Sequence, residues 1–105
     1  MGRKAAPLDK AGDVEEADGI YRARVQYRGE NDRKLALRGP RRMLASEADG
    51  DLVSMRAAAA VFPNDRVQAF QSMHAEARRI QMRVKYERDI EMAMLRRVEI
   101  GRAHG

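Results

Sequence analysis

From Asn64 to Ile100 the chain runs 37 residues without a proline or a glycine. The run is dense in Ala, Met, Arg and Glu, all of which favour helix. It reads as one helix over 64–100, capped by Asn64 or Asp65 and closed at Gly101. Such a helix is roughly 55 Å long at 1.5 Å per residue. A compact domain of this chain's size has a radius of gyration near ~13 Å. The helix must therefore kink, or its far end must leave the chain's own core.

Side-chain spacing separates these outcomes. At about 100° per residue, Phe70, Met73, Ala77, Ile80, Val84, Leu95 and Val98 fall within one arc, interrupted by Glu87 and Glu91. A second, roughly opposite arc holds Met82, Tyr86, Ile90, Ala93 and Ile100, with Met94 at its border. It exists only in the C-terminal half. Two apolar faces on the part farthest from the core mean cover from two sides. The rest of the chain is too small to provide both. Met82, Tyr86, Ile90, Ala93 and Met94 are therefore expected to dock on a partner, and Met-rich faces adapt to irregular surfaces.

Before the long run, Tyr21-Arg22-Ala23-Arg24-Val25-Gln26-Tyr27-Arg28 alternates strictly. Tyr21, Ala23, Val25 and Tyr27 share one face, and Arg22, Arg24, Gln26 and Arg28 the other, as in a half-buried strand. A helix over 14–28 is the competitor, but Gly19 would cost it about 1 kcal/mol. Gly29-Glu30-Asn31-Asp32 is turn chemistry. Lys34 to Arg38 makes a second strand, ended by Gly39-Pro40. Ser46-Glu47-Ala48-Asp49 then fits a helix start. Ala48, Leu52, Met55, Ala59 and Phe62 recur at helical spacing, and Pro63 stops the helix. The expected fold is α+β, mostly α: a basic β-hairpin, a short helix over 46–61 and the long helix. Residues 1–18 read as a mobile N-terminal arm, with a poorly supported helix over Asp9–Ala17. Residues 19–62 form the hairpin and short helix, and 63–105 the extended helix, in a single small domain overall. The tetrapeptide Glu-Ala-Asp-Gly occurs at 16–19 and at 47–50, without extending into a repeat.

Charge is laid out in blocks. Residues 1–19 carry net −2, 20–44 net +6, 45–65 net −3 and 66–105 net +4. The basic block is the footprint of a polyanion or an acidic partner. Its expected contact residues are Arg22, Arg24, Arg28, Lys34, Arg38, Arg41 and Arg42. Tyr21 and Tyr27 could stack bases, but they share a face with Val25 and read first as core.

Little else in the sequence carries chemistry. There is no cysteine, so disulfides, thiolate zinc sites and thiol nucleophiles are excluded. His74 and His104 lack metal-pair spacing, Asp49 and Asp51 lack the rest of a calcium loop, and Ser46, Ser54 and Ser72 lack nucleophile surroundings. No enzymatic activity, cofactor or metal is expected. No run approaches the roughly 20 apolar residues of a membrane span. The N-terminus has neither a secretory signal nor the myristoylation pattern, so an intracellular location is expected: cytoplasm, nucleus or organelle interior.

The order of Tyr21-Arg22-Ala23-Arg24-Val25, Leu35-Ala36-Leu37, Ser46-Glu47-Ala48 and Ala57-Ala58-Ala59 resembles the Apetala/ethylene-response-factor type of DNA-binding domain over about 40 residues. That resemblance implies a small sheet on one helix, with Arg22, Arg24 and Arg28 reading DNA. The family's sheet has three strands, of which two are visible here. Its Trp residues and any counterpart of the long helix are absent.

Two functional readings follow. In the first, the chain is a non-catalytic basic accessory subunit of a larger protein or ribonucleoprotein assembly, docked through its long helix, with pairing to a second copy also open. In the second it is a nucleic-acid-binding module, for RNA or DNA, built on the Arg-rich hairpin.

Overall fold

The computed structural model describes residues 7–28 and 33–103, with side chains through Arg97. A 3-10 turn at Leu8–Lys10 leads into β1 (Asp13–Ala17), β2 (Ile20–Arg28), β3 (Lys34–Arg38), α1 (Ala45–Ala60) and α2 (Arg66–Ala103). The architecture is α+β and mostly α, as the periodicities indicate. The expected turn at Gly29–Asp32 lies outside the described residues.

The three strands form one antiparallel sheet in the order β1-β2-β3. β1 corrects the reading of the described part of 1–18 as an arm and of 9–17 as helix-prone; residues 1–6 lie outside the described residues. The register pairs Val14 with Ala23 and Glu15 with Arg22. Asp18 (φ 55°) and Gly19 (φ 76°) both take left-handed backbone, which joins β1 to β2 by the two-residue turn that matches strand twist. Gly12 seats the start of β1. Its φ is +100°, and a Cβ there would lie 2.7 Å from Arg24 O and 2.9 Å from Leu52 Cδ1, so only glycine fits. Arg56 of α1 donates from Nε to Ala11 O and from Nη2 to Gly12 O, both at 2.9 Å.

Ala23 and Val25 of β2 face α1, Leu37 of β3 lies on the α2 side near Phe70, and all three join Leu52, Met55 and Ala59 in one core. α1 begins at Ala45 with no side-chain cap, so Ser46 lies inside the first turn rather than capping it. Asp65 does cap α2, accepting from Gln68 N at 3.0 Å. α2 turns back along α1 and buries Ala69, Met73, Ala77, Ile80 and Val84. The half-buried Phe70 ring stacks on Tyr27 at 4.3 Å between centroids, and the Arg66 guanidinium stands over Tyr27.

α1 has 16 residues, about 24 Å of helix, whereas α2 has 38, about 57 Å. Among the described side chains, burial on α2 accordingly stops at Val84. Gln81 Nε2 donates to Arg38 O at 2.8 Å, and Arg88 Nη2 to Arg41 O at 3.1 Å. These bonds fasten α2 to the end of the sheet at the level where it leaves the core. Leu95, expected on the core arc, is exposed because nothing reaches it. Val98 lies outside the described side chains. The molecule is 73 Å long against 27 and 23 Å across.

Candidate interaction surfaces

The first surface is the polar face of the sheet. Register places Arg22, Arg24 and Arg28 of β2 on the same side as Lys34 and Arg38 of β3, as alternation demands. The same register brings Asp13 and Glu15 of β1 onto that side. Arg24 Nη2 lies 2.9 Å from Asp13 Oδ2, and its Nη1 3.4 Å from Glu15 Oε2. Arg38 Nε lies 2.6 Å from Glu15 Oε1. The sequence reading missed both carboxylates, which stand inside the basic surface as built-in counter-anions.

Arg22 is held differently. Its Nε donates to Gly39 O at 3.0 Å. Partial burial, then repulsion from Arg38 and Arg41, lowers its pKa below the usual arginine value. Arg41 stands beside it across a shallow groove lined also by Glu15, Ala17, Asp18 and Ile20. The hydrogen bonds that Arg24 donates to Asp13 hold the pKa of Arg24 above the ordinary value.

Arg42 departs from its expected place on a contact surface. Its backbone bridges to Tyr21, and its side chain turns inward onto α1. Nε and Nη2 make a bidentate pair with Asp51 at 2.8 and 2.9 Å, with Glu47 at 3.7 Å. The side chains are 16% and 5% exposed, and the Asp51 hydrogen bond raises the pKa of Arg42. This pair fixes the 39–44 loop to α1 and is spent inside the fold. Asp51, noted in sequence only beside Gly50, is its unforeseen partner. Tyr27 is likewise engaged with Phe70 and Arg66 of α2, on the face opposite the sheet arginines.

The second surface is the distal half of α2. Met82, Tyr86, Ile90, Ala93 and Met94 are all exposed, Tyr86 by 67% and Met94 by 62%. Met92 and Leu95, on other sides of the helix, are exposed as well. Met82 lies beside the buried stretch that ends at Val84, and the others lie beyond it.

Among the described residues no cluster of His, Asp or Glu could hold a metal ion, and no buried side-chain polar atom lacks a partner. His74 is exposed beside Phe70 and Leu35 on a shallow apolar groove. No helix among the described residues is long and apolar enough to cross a membrane. The chain matches no protein-family model, no curated protein and no solved structure.

Proposed function

We propose that this chain is a non-catalytic accessory subunit that docks into a larger protein or ribonucleoprotein assembly through the distal half of α2. One observation carries the reading. From Lys85 to Arg97 every side chain of the helix is exposed, and among them Tyr86, Ile90, Met92, Met94 and Leu95 face solvent. Apolar surface gathered on a projecting element marks an interaction site. The helix also lacks strong support of its own there. Its opposite-charge neighbours four residues apart, Arg83 with Glu87 and Lys85 with Asp89, run in the weaker basic-first order, and Glu87 and Glu91 repel. Ile90→Asp should abolish capture of a partner in a pull-down while circular dichroism shows an intact fold. Unfolding of the isolated chain with capture retained would overturn the reading.

The second reading, nucleic-acid binding on the sheet, rests on the shared face of Arg22, Arg24, Arg28, Lys34 and Arg38. Asp13 and Glu15 weaken it by competing for Arg24 and Arg38. Each phosphate neutralised would add about 0.7–0.9 to the slope of log affinity against log salt. Titration with RNA and duplex DNA should give a shallow slope. A steep slope, removed by Arg22→Glu with Arg24→Glu, would place this reading first.

A further inference from the structure

We propose that the distal half of α2 pairs with the same segment of a second copy of this chain, antiparallel and about a twofold axis. The inference rests on the docking role assigned to that segment and names its partner.

Tyr86, Ile90, Ala93 and Arg97 lie on the side of the helix away from the core stripe, and all are exposed. They follow one another at steps of four, three and four, the spacing of a seam between two helices. Asp89 and Arg96 flank this seam together on one side, and Glu87 and Met94 on the other. In a parallel pair each seam residue meets itself, so Arg97 would face Arg97 across the apolar line. Like charges that close are destabilising. An antiparallel pair removes the conflict. Ile90 of each copy then meets Ala93 of the other, and Tyr86 meets Arg97, whose guanidinium can lie over the ring as a cation–π contact.

The flank fits the same arrangement. With Ile90 opposite Ala93, the axis passes between residues 91 and 92. Asp89 of each copy then stands beside Arg96 of the other, and symmetry makes two such ion pairs. The contact is self-complementary, as a twofold interface must be. It buries the large side chain of Ile90 against the smallest seam residue, Ala93, so the two backbones can approach at the centre. Nothing in the core is disturbed, because among the described side chains burial on α2 ends at Val84 and the seam begins at Tyr86.

Sedimentation of the full chain over a hundredfold range of concentration tests the proposal. The expected result is a monomer–dimer equilibrium that Ile90→Asp abolishes with the helix signal of the core intact. Asp89→Arg alone and Arg96→Asp alone should each weaken the dimer roughly tenfold, by loss of two ion pairs and introduction of like charges. The double variant Asp89→Arg with Arg96→Asp should recover it. A monomer at every concentration overturns the proposal, as does a dimer indifferent to Ile90→Asp. Failure of the double variant to recover rejects the antiparallel register. A monomeric chain that still captures another protein through Ile90 rejects the second copy and leaves the docking role standing. A monomer that captures nothing rejects both.

Discussion

The two halves of α2, residues 66–84 and 85–103, are each 19 residues long and each contain nine apolar residues. The first half is anchored in the core; the second runs about 28 Å past its last buried side chain. The difference lies in arrangement and in available cover. Ala69, Met73, Ala77, Ile80 and Val84 make one unbroken stripe, which α1 is long enough to cover. Beyond Val84 the stripe meets Arg88 and Glu91, and the apolar residues divide between opposite sides. Apolar content alone therefore does not say whether a helix is core. Length of the covering element decides it.

Substitutions of one kind on either side of this divide sharpen the contrast. Met73 is fully buried between the helices and the sheet. Met73→Ala should cost about 2–5 kcal/mol in urea unfolding, by lost burial and a cavity. An intermediate effect is expected at the level where α2 leaves the core. Asp51→Ala leaves the Arg42 guanidinium, 16% exposed, without its bidentate partner. The cost should be about 2–3 kcal/mol, below that of breaking a fully buried pair because water still reaches the arginine. The smallest effect belongs to Met94→Ala, expected within about 0.5 kcal/mol of the parent under the same assay. A Met94→Ala loss as large as that of Met73→Ala would erase the distinction between the halves.

How far the fold could be read in advance varies along the chain for physical reasons. α2 was plain because the run after Pro63 holds no breaker before Gly101, although the helix does not close there and carries on to Ala103. β2 was plain because strict alternation from Tyr21 to Arg28 favours a strand, and Gly19 counts against the competing helix over 14–28. β1 was missed because Asp13-Val14-Glu15-Glu16-Ala17 has one strong strand former and three carboxylates, residue types depleted in strands. Its strand character comes from pairing with β2. The signal that could have found it is Asp18-Gly19, a hairpin dipeptide standing directly before an alternating run. The same four residues, Glu-Ala-Asp-Gly, show how much context decides. At 16–19 they close a hairpin, with Asp18 and Gly19 left-handed. At 47–50 they lie inside α1, where the stripe of Ala48, Leu52 and Met55 holds them helical.

The interaction surfaces were legible to differing depth. The five sheet cations share one face because the period of a strand fixes it, and the distal apolar residues are exposed as the long helix demanded. The neutralising roles of Asp13 and Glu15 depend on β1, so they were hidden with it. The inward turn of Arg42 depends on where the 39–44 loop crosses α1, which no local pattern encodes.

The position of β1 carries a consequence for how the protein behaves in a crowded solution. Strands at the margin of a sheet offer unpaired backbone groups to any neighbouring chain, and short, charged margins discourage such pairing. Here both margins are five residues long, β1 carrying Asp13, Glu15 and Glu16 and β3 carrying Lys34 and Arg38. The nine-residue β2, with Tyr21, Val25 and Tyr27, is enclosed between them. Proteolysis that trimmed the chain as far as the Asp18-Gly19 turn would turn this long strand, apolar on one face, into an open margin. The acidic strand that balances the arginines is thus also the guard that keeps the sheet from growing, strand by strand, into an aggregate.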